Sequence, residues 1–167
     1  YSAPRHHDKS VEGKAGFWVR RLYVTYTHEM KDGLTGRIRF EAKDPGDFST
    51  VQAMQPFLKD AWIRWKKDGQ QVIIGLIPTP AFEEAEERLG YRPIERTPLD
   101  LYRFANSRDK GISFRTALGA KANATLMVGD ASGTKSSNGQ THAVYARLGM
   151  PVSEGLVADL YGDWSKK

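Results

Sequence analysis

A chain of 167 residues, of which 27% are charged and 40% hydrophobic, can bury the core of one domain, so a largely disordered chain is excluded. The net charge of +5 favours anionic partners, whether small anions, nucleic acid or an anionic membrane surface. Without cysteine there is neither a disulfide nor a cysteine-based metal site. No run approaches the roughly 18 apolar residues of a transmembrane helix, whereas transmembrane strands, apolar only at every second position, fit this composition.

Apolar and polar residues alternate in eight segments, which predicts β-strands with one apolar and one polar face. In chain order these segments are 17–29, 34–43, 57–67, 71–78, 111–119, 124–130, 141–150 and 156–164. Asp32-Gly33 and Asp68-Gly69 are typical of tight hairpin turns, so the strands should form an antiparallel meander. Residues 1–16 are predicted to be an external loop or an N-terminal tail.

The connections between these segments alternate between short and long. This is the layout of an outer-membrane barrel, which has short periplasmic turns and longer external loops. A soluble β-meander can produce the same alternation by chance, so the alternation alone does not separate the two classes.

The long connection 79–110 is predicted to be helical. Thr79 as N-cap, Pro80 in the first turn and Gly90 after the last turn indicate a short helix, and the same pattern recurs at Thr97. A long loop with its own structure usually carries function. In a barrel it either folds into the lumen and narrows it or caps the barrel from outside, and the sequence leaves both open.

The polar faces of the predicted strands are rich in arginine at mid-strand. The candidate pore-lining residues are Arg21, Arg37, Arg39, Glu41, Lys43, Asp60, Arg64, Lys66, Arg115 and Arg147. A water-filled lumen would solvate these arginines, and they would attract anions and repel cations. Alternatively, the arginines pair with Glu41, Asp60 and Asp159 as internal struts. We expect each role for different residues.

The opposite faces of the strands are nearly free of charge. Four aromatic residues of that parity, Trp18, Tyr26, Trp65 and Trp164, are predicted near strand ends, as the aromatic girdles of membrane barrels require. In a soluble sandwich they would instead be core aromatics. Arg20 and Lys59 are charged exceptions on the apolar parity, and we expect their long side chains to reach the lipid headgroups.

Four stretches taken in order, "FWVRRLYVTYTHEMKDGLTGRIRFEA", "FLKDAWIRWKKDGQQVIIGLIPTPAF", "GYRPIERTPLDL" and "SRDKGISFR", resemble bacterial outer-membrane porins of the phosphate-selective porin type. The resemblance implies an all-β fold, an antiparallel transmembrane β-barrel of about sixteen strands, usually trimeric, in the outer membrane of Gram-negative bacteria. Such porins are well over twice as long as this chain, and the terminal aromatic residue of a complete barrel is missing. Residues 1–167 would therefore be a single segment with about eight of the strands, and a complete eight-stranded barrel is the alternative.

The sequence thus predicts a porin that lets small, mostly anionic solutes diffuse across the outer membrane, surrounded by lipid, with no cofactor or metal and no nucleic-acid partner. The lysine and arginine ladders of phosphate-specific porins find no residue-by-residue match, so phosphate specificity is not implied. The alternative is a soluble β-rich binding or scaffold domain with a basic face for a polyanion, where Tyr23, Trp62 and Tyr145 could stack on bases. We find no nucleophile, base or metal-ligand spacing and expect no enzyme.

Overall fold

Each of the eight alternating segments forms a strand in the computed structural model, which describes residues 13, 16, 17, 19–44, 53–89, 102, 106–119, 122–137, 139–154 and 156–166. The elements are β1 (Leu22–Glu29), β2 (Leu34–Ala42), β3 (Phe57–Lys67), β4 (Gln70–Pro78), α1 (Pro80–Leu89), β5 (Arg108–Leu118), β6 (Ala122–Gly129), β7 (His142–Ser153) and β8 (Leu156–Lys166). The strands lie in one antiparallel sheet in chain order. This confirms the all-β prediction, but the sheet is not closed, because β1 and β8 form its two edges.

Three element boundaries differ by three residues or more from those predicted, and most of the others by one or two. The first strand begins at Leu22 rather than at residue 17, and β7 extends to Ser153. The fifth strand begins at Arg108, three residues earlier than predicted, so the long connection covers 79–107 instead of 79–110. The predicted tail 1–16 lies outside the described residues apart from Gly13 and Gly16.

The two predicted hairpin turns are confirmed by their backbone angles. Asp32 and Gly33 have φ of 59° and 77°, and Asp68 and Gly69 have φ of 48° and 77°. Positive φ at both central positions twists a two-residue turn in the sense of the flanking strands. These turns therefore fix the registers β1–β2 and β3–β4.

Short and long connections leave opposite ends of the sheet. The short-turn end carries residues 30–33, 68–69, 119–121 and 154–155, and the long-loop end carries 43–56, 79–107 and 130–141. Consecutive connections of an antiparallel meander necessarily alternate between two ends. One end of the sheet therefore carries short turns, and the other end carries long loops.

The helix α1 begins where the sequence predicts it. Glu83 N–H donates to Thr79 O at 3.2 Å, which makes Thr79 the cap residue and Pro80 the first helical residue. The Thr79 hydroxyl donates instead to Asn106 O at 2.7 Å and so ties the two ends of the long connection together. Gly90 and the second helix expected from Thr97 lie outside the described residues.

No helix in the described part of the chain is long and apolar enough to cross a membrane.

The two faces of the sheet are inverted relative to a sheet in water. The apolar face is solvent-exposed over all eight strands, with Ile63 at 59% and Val24 at 63% exposure. Its other exposed members include Leu22, Tyr26, Ile38, Phe40, Ile74, Ile112, Phe114, Leu126, Val128, Val144 and Leu160. The polar face, by contrast, buries Glu41, Asp60 and Arg147. A sheet in water normally packs its apolar face on the core and solvates the polar one.

A small apolar core lies on the polar side of the sheet, where α1 packs. It consists of Trp62, Ile73, Ile77, Met127, Ala143 and Tyr145. The helix contacts β6 and β7 and carries the fully buried Phe82. Gly75 lies opposite Trp62 in the register. Its φ of 132° is unfavourable for other residues, and a Cβ at this position would overlap Ala61 O. The glycine therefore allows the backbones of β3 and β4 to lie close beside the indole.

A β-bulge corrects one sequence prediction. Arg39 lies opposite Asp60 and Phe40 opposite Leu58, so Lys59 has no direct partner in the ladder. A bulged residue shifts the alternation locally. The Lys59 ammonium accordingly lies 2.9 Å from Glu41 Oε2 on the polar face and is nearly buried. The expectation that Lys59 reaches toward lipid headgroups from the apolar face was wrong.

Candidate functional site

The candidate pore-lining residues lie together on the polar face. Arg21, Arg37, Arg39, Glu41, Asp60, Arg64, Arg115 and Arg147 contact one another or the side chains between them. Lys43 follows β2 at the long-loop end and Lys66 stands near the short-turn end, both exposed. The alternation thus brings all ten residues to one continuous surface, which we call the polar face.

The first ionic group on the polar face surrounds Glu41. Its carboxylate, 2% exposed, lies 2.9 Å from Lys59 Nζ and 3.5 Å from Arg21 Nε. Two cations thus share one buried carboxylate. Without these partners, burial of the charged carboxylate would destabilise the fold by on the order of several kcal/mol.

The second group surrounds Asp60, which is 1% exposed. Arg108 Nε donates to Asp60 Oδ1 at 2.6 Å, and Arg39 lies 3.3 Å from Oδ2. Arg108 in turn lies 3.6 Å from Glu86 of α1. The group therefore joins β2, β3, β5 and the helix through one buried carboxylate.

The third group holds α1 against β5, β7 and β8. Arg115 donates to Glu84 Oε1 at 2.6 Å, and Arg147 lies 3.5 Å from Glu84 Oε2 and also pairs with Asp159. Asn123 Oδ1 accepts from Arg147 at 2.7 Å and from Arg115 at 3.3 Å. The predicted pairing with Glu41, Asp60 or Asp159 is confirmed for Arg21, Arg39 and Arg147. Arg115 pairs instead with Glu84, and Arg108 also pairs with Glu86, two acids that the sequence did not identify as partners.

Arg37 and Arg64 stack on one shared aromatic ring, that of Trp62. Their guanidinium carbons lie 5.0 and 5.5 Å from the centre of the Trp62 ring. Arg37 donates to Thr27 Oγ1 at 3.1 Å and Arg64 to Thr35 Oγ1 at 3.4 Å. Among the described residues, no carboxylate forms an ion pair with either arginine. Within the described part of the chain, neither positive charge is neutralised by an ion pair, and cation–π contacts hold both guanidinium groups in place.

Asp109 is a buried acid that the sequence analysis missed. Its carboxylate is fully buried and accepts hydrogen bonds from Tyr145 Oη at 2.8 Å, Ala131 N at 2.8 Å and Gly133 N at 3.1 Å. These bonds fix the loop 130–141 over the polar face. The sequence could have identified it, because extending the alternation of β5 two residues back from Gly111 places Asp109 on the polar face.

A second acid organises the same loop from outside the strands. Burial alone would raise the pKa of Asp130, but hydrogen bonds from the Ser132 hydroxyl at 2.6 Å and from its N–H at 3.0 Å outweigh it and hold the pKa well below its usual range. The Lys110 ammonium lies 3.3 Å from the same carboxylate. The loop is thus held by charge and hydrogen bonds, and its Ala131 also packs against the apolar core.

The candidate girdle residues lie on the exposed apolar face as far as they are described. Tyr26 and Trp164 are 66% and 61% exposed, and Trp65 is partly buried. Trp65 stands near the short-turn end and Trp164 near the long-loop end, whereas Tyr26 lies inside β1 opposite Ile38. Trp18 lies outside the described residues.

The described residues contain no cluster of three His, Asp or Glu side chains that could hold a metal ion. Comparisons with protein families, with curated proteins and with solved structures find no match to this chain. A functional conclusion therefore depends on the geometry of the two faces.

Proposed function

We propose that this chain forms part of the wall of an outer-membrane porin, a water-filled channel through which small solutes diffuse. The observation that carries the proposal is the inversion of the two faces: a continuous exposed apolar face opposite a polar face with buried charges. In a transmembrane barrel wall the outward residues meet lipid and the inward residues meet water. The same arrangement in water would expose an apolar surface far larger than a soluble monomer tolerates.

The open edges fit a wall that continues beyond these eight strands. Among the described strands, β1 and β8 each pair with a neighbour on one side only. Backbone groups in the hydrocarbon region must all be hydrogen-bonded, so a spanning sheet has to close. Further strands, from the rest of a longer barrel, would complete the pairing, and the likeness to trimeric porins suggests three such barrels per assembly.

The position of α1 supports a role in setting the channel width. The helix leaves the long-loop end, lies on the polar face, and is held there by Arg108, Arg115 and Arg147. A helix on the inner face of a barrel wall reduces the open cross-section. Of the two roles left open by the sequence, the narrowing of the lumen is the one this position favours.

The channel should prefer anions. Most cations of the polar face are compensated by carboxylates, but Arg37 and Arg64 are not paired with any described carboxylate. Fixed positive charge in a narrow aqueous path concentrates anions and repels cations. The preference is expected to be moderate, because the surplus is small relative to the number of paired charges.

The soluble alternative, a basic face for a polyanion, receives less support. Trp62, which would stack on bases, is buried beneath two guanidinium groups. The exposed apolar face also has no role in that alternative.

The proposal is tested with the full-length protein that contains this chain. It should partition into the membrane fraction, require detergent for extraction and give stepwise conductance in planar lipid bilayers. In a salt gradient, the reversal potential should have the sign of an anion-preferring pore. A protein that is soluble without detergent, or that is folded but does not conduct, would contradict the proposal.

A further inference from the structure

A cleft opens on the apolar face at the long-loop end of the sheet, where the loop 130–141 meets β3, β4, β5 and β6. Its volume is about 950 Å³. The sheet side of the cleft is aliphatic and includes Ile74, Ile112 and Val128, and the loop side includes Thr134, Lys135 and Ser136. We propose that this cleft binds one membrane lipid with a phosphate-bearing headgroup, with an acyl chain on the sheet and the phosphate at the loop. The inference rests on the proposed function, because the apolar face meets lipid only in a membrane.

Lys110 holds the loop 130–141 on the apolar face. It lies opposite Leu76 in the register and therefore has the parity of that face. Its ammonium group donates hydrogen bonds to Ser132 Oγ and to Lys135 O. Because these bonds fix the loop on the sheet, the loop side of the cleft exists before a ligand arrives, and less freedom is lost on binding.

The apolar face changes from covered to open within the cleft. Leu76 is 7% exposed, whereas Ile74, two residues or about 7 Å further from the loop, is 57% exposed. Gly75 lies opposite Gly111, and Gly111 opposite Gly129, so the backbone itself forms part of the cleft floor across three strands. Glycine inside a strand often marks a bend or a place where another group approaches closely. An acyl chain can therefore enter from the open part and lie along this floor.

The groups on the loop side of the cleft suit a phosphate. In the described part of the chain, the ammonium group of Lys135 has no ion pair, and the exposed hydroxyls of Thr134 and Ser136 have no hydrogen bond. Lys110, by contrast, lies 3.3 Å from the carboxylate of Asp130. Phosphate oxygens accept hydrogen bonds from ammonium and hydroxyl groups alike. A lipid without a phosphate would leave the donors at the loop unused, and a free phosphate would leave the aliphatic floor unused.

The test is native mass spectrometry of the full-length protein in detergent, titrated with phosphatidylglycerol. This lipid should bind at least tenfold more tightly than diacylglycerol with the same acyl chains, which lacks the phosphate. Lys135→Gln should weaken phosphatidylglycerol binding by about tenfold, the usual loss for one charge-assisted hydrogen bond. Lys166→Gln removes an exposed lysine at the same end of the sheet but outside the cleft, and should leave binding unchanged.

A second pair of variants tests the sheet side of the cleft. Val128→Trp fills the cleft from an exposed position and should weaken phosphatidylglycerol binding by about tenfold or more. Val144→Trp is its matched control, because Val144 lies opposite Val128 on the next strand, is also exposed and is not among the residues that line the cleft. Neither position belongs to the buried core, so both variants should fold.

The proposal would be overturned if diacylglycerol bound as tightly as phosphatidylglycerol, or if either Lys135→Gln or Val128→Trp bound phosphatidylglycerol like the unmodified protein. Inorganic phosphate that displaced phosphatidylglycerol at equal concentration would overturn the assignment to a lipid. A protein that conducts but lacks this lipid preference would refute the cleft proposal alone. A folded protein that binds the lipid in the cleft but does not conduct would refute the porin proposal alone.

Discussion

Arg108 Nε donates a hydrogen bond to Asp60 Oδ1 at 2.6 Å, and this buried pair joins β5 to β3 across the intervening strand β4. Both side chains are almost completely buried, at 5% and 1% exposure. Asp60 also pairs with Arg39, and Arg108 with Glu86. The pair is therefore the point at which three strands and the helix are held together by charge.

Asp60→Asn should lower the free energy of unfolding by about 3–5 kcal/mol, because the buried guanidinium of Arg108 loses its hydrogen-bonded carboxylate and keeps the more distant one of Glu86. Urea unfolding in detergent, followed by circular dichroism, measures the loss. Glu154→Gln, an exposed acid in the β7–β8 turn, is the matched control and should change stability by no more than about 0.5 kcal/mol. Equal stabilities of the two variants would contradict the structural role of the pair.

The surplus charge of Arg37 and Arg64 leads to a prediction about selectivity. The double variant Arg37→Gln, Arg64→Gln should shift the reversal potential in a potassium chloride gradient toward zero, because it removes two cations that no described carboxylate pairs with. Lys67→Gln with Lys166→Gln removes two exposed charges near strand ends and should leave the potential nearly unchanged. An anion preference that survives the arginine double variant would refute the assignment of selectivity to this stacked pair.

Glu84 holds α1 on the polar face through Arg115 and Arg147. Glu84→Gln should weaken this hold and raise both the single-channel conductance and its current noise, since the helix would be held less firmly on the polar face. Glu83→Gln, in the same helical turn and 3.9 Å from Arg115, should have a smaller effect. If both variants conduct like the unmodified protein, the helix does not narrow the path.

Gly75 allows β3 and β4 to approach each other beside Trp62. A Cβ at this position would overlap Ala61 O, and φ of 132° is unfavourable for any side chain. Gly75→Ala should therefore destabilise the fold by more than about 1 kcal/mol. The control is Gly162→Ala, whose added Cβ meets nothing within 4 Å, and thermal unfolding distinguishes the two. Similar melting temperatures would show that the close approach is not required.

Much of the fold follows from the sequence because alternation is a local signal. The bounds of β3 were predicted without error, and the two Asp-Gly turns fixed the neighbouring registers. The bulge at Lys59 could not be predicted, because its position depends on the pairing of β2 with β3. The partner of Arg108 could not be predicted either, because Arg108 and Asp60 are 48 residues apart and meet only once β4 lies between their strands.

In the candidate site, too, the features with a local sequence signal could be predicted and those that depend on tertiary contacts could not. Alternation placed the predicted arginines on one face, but it could not separate paired from unpaired ones. That distinction depends on α1, whose Glu84 and Glu86 reach the sheet only once the helix packs on it. Arg37 and Arg64 are distinct because Trp62 lies beneath both of them, which is a property of the β2–β3 register.

The central claim, that the apolar face meets lipid and the polar face meets water, is tested most directly by spin labels at single cysteines, since the chain has none of its own. Labels at Ile63, Ile74 and Ile112 should be relaxed strongly by oxygen dissolved in the bilayer, and labels at Thr25 and Thr27 by a water-soluble nickel complex. The account predicts this alternation in the full-length protein reconstituted in lipid vesicles. The account would be contradicted if the nickel complex reached the labels at the three isoleucine positions as readily as those at the two threonine positions.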